Sequence, residues 1–338
     1  MITVALDTMG SDGGAKPLVE GAAWLSREDG DLSVILVGEE PVLSEHLAEL
    51  RYDPARLSVV HAEGAVSMED KPGDALDARP DCSVLTAARL VAEGEADALV
   101  SAGNTGAVIL AASRTFERLP GIRRGALAAV YPTEQRHGPR QDPFALMLDV
   151  GATTHCSAQD LVGFAVMGSA YSRIISDIER PRVALLSNGT EPTKGTPIIV
   201  EAHRMLTNHR AVNFVGNVEG LDIPRGTVDV VICDGFLGNV VLKMLEGVSE
   251  VVADLARDAY ARKFLWKMGL TMLSQGLRQI RTMTDWKQYG GAPVLGFDHV
   301  VIKAHGRSNA RAVRNALKVA AKAVERGLAQ EIASGLTG

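Results

Sequence analysis

Aromatic side chains make up only 4% of the chain, so the broad π-faces on which a base-stacking nucleic-acid binder depends are missing. Positive charge is short as well. Lys and Arg number 35 against 41 Asp and Glu, a formal net charge of -6 and a pI near 5.8, which repels a phosphate polymer except over a local basic patch. No nucleic-acid partner is expected. Cysteine is limited to Cys82, Cys156 and Cys233, odd in number, far apart and without a CxxC pair. That removes a disulfide framework and a zinc knot, and the three read as small buried or half-buried residues. HExxH, GxSxG and histidine–carboxylate clusters at a metal or triad spacing are also missing, which argues against zinc and serine hydrolases; no metal or cofactor is expected. The opening MITVALDTMG lacks a basic and then apolar leader, and no run reaches the roughly 18 apolar residues of a membrane span. The expected location is therefore the cytoplasm.

Glycine is in excess: 34 of 338 residues, about 10% against a usual ~7%, so tight turns are many. Short, nearly continuous Val, Ile and Leu runs recur at Ile2 to Asp7, Ser33 to Gly38, Leu57 to His61, Ala98 to Ser101, Ala126 to Tyr131, Ala145 to Val150, Arg182 to Leu186, Val212 to Gly216 and Val228 to Cys233. Continuous runs are the mark of strands covered on both faces. Helical patterns separate many of them, as at Pro41 to Leu50, Ser83 to Glu93, Gln159 to Ile178 and Thr196 to Leu206. This alternation predicts an α/β fold with a mostly parallel sheet. No repeat, low-complexity tract or linker divides it, so one catalytic domain over 1–338, as one body or two lobes, is expected.

One stretch breaks the rhythm. A helical pattern runs from about Asn239 to Met283, interrupted by Gly247, Gly269 and Gly276. Tyr260 to Thr284 carries Arg262, Lys263, Lys267, Arg278 and Arg281 and no acid, alongside Leu265, Trp266, Leu270, Leu273 and Leu277. The reading is a protruding amphipathic helical hairpin at 258–288. Such a basic, apolar segment suits an anionic membrane surface, and equally a dimer interface.

In open α/β sheets, anions bind beyond the carboxyl ends of strands, where glycine turns and helix N-termini present free N–H groups. Candidate loops are Asp7 to Gly14, with Gly10 and Asp12; Ser101 to Gly106, with Gly103, Asn104 and Thr105; and Asp149 to Ala152. Each alone fits an ordinary structural turn equally well. Ser187 to Thr196 resembles a P-loop superficially, but it ends Lys194-Gly195-Thr196 instead of Gly-Lys-Thr, and the nucleotide reading fails. What remains is a lysine at a helix start, where ammonium and backbone N–H would converge on one anion; the bland alternative is a solvated lysine. Cys233 to Asn239 contains Asp234 and Gly235, and Asn239 there either caps the following helix or offers its amide to a substrate carbonyl. His305 precedes a helix expected near Ser308, and a hydrogen bond to its own turn is its plainer role.

Taken in order over nearly the whole chain, these loops resemble the bacterial acyl-acyl-carrier-protein:phosphate acyltransferase family of phospholipid synthesis. The matching segments are Asp7-x-Met9-Gly10-x-Asp12, Ser101-x-Gly103-Asn104-Thr105-Gly106-Ala107, Leu148-Asp149-Val150-Gly151-Ala152, Asn217-Val218-Glu219-Gly220-x-Asp222-Ile223, Asp234-Gly235-Phe236-x-Gly238-Asn239, Tyr289-Gly290-Gly291-Ala292-Pro293-x-Leu295-Gly296 and His305-Gly306-x-Ser308-Asn309. The resemblance implies a three-layer α/β/α sandwich like isocitrate and isopropylmalate dehydrogenases and a homodimer. It also implies transfer of a long-chain acyl group from acyl-acyl-carrier protein to inorganic phosphate. It makes Lys194 and Asn239 the catalytic candidates, and puts Gly10, Asp12, Ser101, Gly103, Asn104, Thr105, Asp149, Asp234, Gly235, Gly291, His305 and Ser308 around phosphate or substrate. The hairpin would then hold the enzyme peripherally on an anionic membrane, beside a membrane-bound glycerol-phosphate acyltransferase that takes the product. The rivals are a coenzyme-A-dependent phosphate acetyltransferase, a dehydrogenase of the same fold group, and a noncatalytic acyl-binding membrane scaffold. A dehydrogenase would need a magnesium–carboxylate cluster and a cofactor-reading pattern, neither of which is found.

Overall fold

The continuous apolar runs become strands buried on both faces, and the patterns between them become the covering helices. The structure is a computed structural model and describes residues 1–28, 30–262 and 290–337. The first half alternates β1 (Ile2–Asp7), α1 (Lys16–Ser26), β2 (Leu32–Gly38), α2 (Glu40–Ala48), β3 (Leu57–His61), α3 (Pro72–Ala78), α4 (Ser83–Ala92), β4 (Ala98–Ser101) and α5 (Thr105–Thr115). The second runs β5 (Ala126–His137), β6 (Asp142–Leu148), α6 (Ala158–Ser176), β7 (Arg182–Leu186), α7 (Pro197–Leu206), β8 (Asn213–Val218), α8 (Asp222–Arg225), β9 (Val230–Ile232) and α9 (Gly235–Arg262). The chain then returns through β10 (Ala292–Leu295), β11 (Val300–Lys303), α10 (Ala310–Glu325) and α11 (Leu328–Thr337).

All eleven described strands join one sheet in the order β3-β2-β1-β4-β11-β10-β5-β6-β9-β7-β8. Pairing is parallel from β3 through β11 and again from β6 through β8, with an antiparallel seam at β11-β10-β5-β6. Three reversals across the seam leave the two parallel groups running in opposite directions. The mostly parallel α/β expectation holds, and β10 and β11 are the strands it missed. Each is four residues long, and Pro293 demotes the β10 run as a strand signal.

Three apolar clusters fill the layers. One face of the first group, through Leu6, Val100 and Ile302, packs on α1 and α10 through Leu18, Val313 and Leu317. One face of the second, through Leu148, Leu185 and Ile232, packs on α6 and α7 through Phe164, Met167 and Ala202. The remaining faces of both groups share a single cluster. Ala5, Leu99 and Val301 join Met147, Val231 and Cys233 there, under Ala87 of α4, Val108 of α5 and the inner side chains Val241 and Leu245 of α9. Burying each such Val or Leu contributes roughly 1.5–3 kcal/mol, so α9 is anchored across the junction of the two groups.

At the edge away from the glycine loops, Asp229 accepts hydrogen bonds from the Arg182 guanidinium at 3.0 and 3.1 Å and from the Arg182 backbone N–H at 2.7 Å, and its Oδ1 lies 2.6 Å from Nδ1 of buried His137. Burial works against the Asp229 carboxylate, but these partners outweigh it and hold the group well below the usual carboxylate range. The cluster ties the beginnings of β7 and β9 to the end of β5, leaving the opposite strand ends free for chemistry.

Candidate active site

The second parallel group places its C-terminal loops side by side, because β6, β9, β7 and β8 are neighbours in that order. The loop after β6 is organised by Asp149. Its carboxylate accepts N–H bonds from Leu127 at 3.0 Å, Gly151 at 3.1 Å, Ala152 at 2.9 Å and Thr153 at 2.8 Å, and the Thr153 hydroxyl at 2.9 Å. With five donors on two oxygens, fully buried Asp149 shapes the loop. The next strand end carries Asp234, whose side chain accepts from the Leu237 N–H at 2.9 Å and so caps α9. That corrects one alternative for Asn239: it lies inside the first turns of α9, solvent-exposed, and is not the cap. It stands against the Asp149 loop, where a Cβ added to Gly151 would lie 3.7 Å from its Cγ. Gly235 is buried at the same crossing.

Lys194 belongs to the loop after β7. The helix starts where the Thr196 to Leu206 pattern expects it: Thr196 is the N-cap, its hydroxyl accepting from Ile199 N–H at 3.4 Å, and α7 begins at Pro197. Lys194 precedes the cap by two residues and is exposed, its N–H bonded to the Glu191 carbonyl at 3.0 Å. Asn217, on the adjacent strand, donates to that same carbonyl at 2.9 Å and accepts from His203 Nδ1 at 3.0 Å, fixing the loop. The ammonium thus projects from a held loop one strand away from the turn bearing Asn239.

The first group builds a second set of loops. Gly10 adopts φ +71° because the chain turns back against the Val66 carbonyl, which a Cβ would meet at 2.6 Å. Gly103, at the end of β4, donates its N–H to Ser101 Oγ at 3.1 Å. Asn104 caps α5 by accepting from Ala107 N–H at 3.1 Å, while its amide donates to the Ser67 carbonyl at 3.0 Å. Thr105 is the first residue of that helix. Asp12 is exposed and lies 4.0 Å from Arg307, and Gly13 N–H donates to the Gly306 carbonyl at 3.3 Å, so the loops after β1 and β11 touch. His305 Nδ1 accepts from Arg307 N–H at 3.1 Å, and partial burial followed by the nearby Lys303 charge pushes the imidazole below its ordinary value. Ser308 is buried; the helix expected near it begins at Ala310, with Asn309 as the cap. Gly291 opens β10 beside the Lys303 carbonyl.

Helix α9 bridges the two sets. Lys243 and Glu246 both act electrostatically on His305, and they lie four and seven residues beyond Asn239, about 6 to 10 Å along a helix. The helix also starts earlier than expected and passes straight through Gly247 without interruption. The rest of the expected hairpin, with Leu265, Trp266, Leu270, Leu273 and Leu277, lies outside the described residues.

Sequence reasoning missed Lys303. It ends β11, is 6% exposed, and is the Cα partner of Ser101. The one signal was a lysine closing the apolar triplet Val300-Val301-Ile302. The thiols resist ionisation: burial, aided by Asp234 and other carboxylates, pushes Cys156 up to about 12, and burial also raises Cys82 and Cys233. A cysteine thiolate is thereby removed as a nucleophile.

Two sets of strand-end loops, bridged by a helix, make this an α/β fold with its glycine-rich turns gathered at the strand ends. A phosphotransacetylase from Streptococcus pyogenes shares the fold with a TM-score of 0.64 at 19% identity, over 96% of this chain and 94% of that one. A branched-chain phosphotransacylase from Enterococcus faecalis V583 gives a TM-score of 0.57 at 16% identity, over 96% and 100%. Residues 2–331 match the fatty acid synthesis protein family, and the chain belongs to it. Its relatives include the phosphate acyltransferase of Nitratidesulfovibrio vulgaris strain DP4, 40% identical over 96% of this chain and 91% of the relative. That of Dictyoglomus turgidum is 39% identical over 98% and 97%.

Proposed function

We infer that this protein is a phosphate acyltransferase that moves a long-chain acyl group from acyl-acyl-carrier protein to inorganic phosphate, an early step of phospholipid synthesis. The observation that carries the reading is the relationship over nearly its full length to phosphate acyltransferases, in a chain whose strands end in glycine-rich loops and whose Cys156 thiol burial keeps from ionising. Phosphate dianion needs no activation at neutral pH. One of its oxygens attacks the thioester carbonyl, the C–O bond forms, the C–S bond breaks, and the carrier thiolate takes up a proton from solvent. The protein must hold phosphate at the carbonyl and stabilise the developing oxyanion. In this reading Lys194 carries the phosphate or transition-state charge, and Asn239 donates to the oxyanion. The loops with Gly10, Gly103 and Thr105 seat the phosphate. Incubating the protein with an acyl-carrier-protein thioester and phosphate, then trapping with hydroxylamine, should yield acyl hydroxamate only when phosphate is present. No phosphate-dependent product would leave the noncatalytic scaffold reading in its place.

The working unit is a homodimer in this reading. Val240, Met244, Val248, Val251 and Leu255 are all more than half exposed along α9, at spacings that keep them on one helical face. A stripe of this length calls for a partner helix. Met244→Glu with Val248→Glu is expected to convert dimer to monomer in light scattering; an unchanged mass would rule out this face. The basic, apolar stretch beyond α9 supports peripheral contact with an anionic membrane, where a membrane-bound glycerol-phosphate acyltransferase can receive a lipid-tailed product. No helix among the described residues is long and apolar enough to cross a membrane. Leu270→Glu with Leu273→Glu is expected to abolish co-sedimentation with anionic vesicles, and equal binding would end the membrane proposal.

A further inference from the structure

β11 ends on a lysine to which the chemistry above gives no part. Lys303 is the register partner of Ser101 on β4, and Ser101 is the partner of Asp7 on β1. Equal register on parallel strands puts the three side chains on one face of the sheet. Two residues earlier on that face stand Val301, Leu99 and Ala5, all in the apolar core. The core therefore ends in a polar layer directly beneath the loops after β1 and β4.

The layer is connected to both loops. Ser101 Oγ donates to Asp7 Oδ2 at 2.6 Å and accepts from Gly103 N–H at 3.1 Å. Asp7 Oδ1 accepts from Met9 N–H at 3.1 Å. Asp7 is 2% exposed and Ser101 0%, so a charge on Asp7 is costly without a cation nearby. Burial pushes the Asp7 carboxyl above its ordinary value, and against this work hydrogen bonds from Ser101, Ser83 and the Met9 N–H and, last, the Lys303 charge. Its ammonium donates to the Ala304 carbonyl, and Ala304 N–H bonds the Ser101 carbonyl at 2.8 Å, which holds the lysine at the strand end.

We propose that Lys303 is a positioning residue of the phosphate seat: its buried ammonium balances Asp7, keeps the Met9 and Gly103 turns in shape, and sets an unscreened positive charge behind the anion. The inference rests on the reading of the β1 and β4 loops as that seat. Burial lowers the proton affinity of Lys303, to a value of about 8, while Asp7 and then Asp12 pull it back upward. The other charged groups around it are His305 on its own loop and, on α9, Lys243 and Glu246, which reach His305. Lys303 thus sheds its charge as pH rises through about 8, well below the usual lysine range.

Steady-state acyl-phosphate formation tests this, with Tm recorded for each variant. For Lys303→Met, KM for phosphate should rise about tenfold or more while KM for the acyl thioester changes less than about twofold, and Lys303→Arg should recover most of the loss. In the wild type, phosphate KM should climb above pH ~8, where phosphate is already dianionic. A phosphate KM within about twofold of wild type in Lys303→Met, or a flat wild-type phosphate KM between pH ~7 and ~9.5, overturns the proposal. If Lys303→Met does not fold because Asp7 is left unpaired, Asp7→Asn with Lys303→Met decides. That pair removes both charges, and a raised phosphate KM supports the proposal whereas a wild-type value overturns it. Thr105→Val, in the loop itself, separates the two levels. If it raises phosphate KM while Lys303→Met does not, only the role of Lys303 falls; if neither raises it, the seat has been misplaced.

Discussion

Lys194→Ala should form acyl phosphate about 10²- to 10³-fold more slowly than wild type, as expected when one preorganised charge or donor is lost at a developing anion. Its melting temperature should not move. Lys194 is exposed, and its fixed contact is a backbone N–H that alanine retains; the loop is held by Asn217 instead. Asn239→Ala should behave similarly, since the residue lies on the exposed side of α9 and alanine is a better helix former. The kinetic split assigns the roles. A loss confined to kcat places the group at the transition state, and a rise in phosphate KM places it at the ground-state anion. Near-normal rates in both folded variants would remove these two residues from the chemistry.

Gly238→Ala should damage the fold and not the chemistry alone. A Cβ at Gly238 would sit 1.9 Å from the Asp149 carbonyl oxygen and 2.9 Å from Cys233 Sγ. Neither can yield cheaply, because Asp149 is tied to five donors and Cys233 is fully buried. Either the loop after β6 breaks or the start of α9 lifts from the sheet. The expected cost is about 3 kcal/mol or more, against a total stability of roughly 5–15 kcal/mol. Gly247→Ala on the same helix is the control. No atom lies within 4 Å of its added Cβ, so it should be neutral or stabilise by up to ~1 kcal/mol. Equal urea midpoints for the two variants would show that the crossing at Gly238 is looser than its geometry.

The strand-end loops were legible because their signals are local. A continuous apolar run followed by glycine and asparagine reads as a covered strand and its turn whatever the rest of the chain does. The helix starts were less legible. Asn239 was a plausible cap by type, but Asp234 takes that role, since the backbone of the crossing at Gly235 and Gly238 decides where the first turn closes. Short β10 and β11 escaped because four residues, one of them Pro293, make a weak strand signal alone and become strands only by filling the seam between two larger groups.

The loops around Gly10 and Gly103 show the same division. Their composition made them candidates for an anion, because glycine turns and free N–H groups are local properties of a few consecutive residues. What lies beneath them was decided by strand pairing. Asp7, Ser101 and Lys303 are about 100 to 300 positions apart in the chain, and only parallel register brings their side chains to one face. The reversal at β10, β5 and β6, and α9 spanning both groups of loops, likewise depend on burial shared between distant segments. Local chemistry thus marks the candidate loops, and long-range packing decides which side chains lie beneath them and which stand opposite.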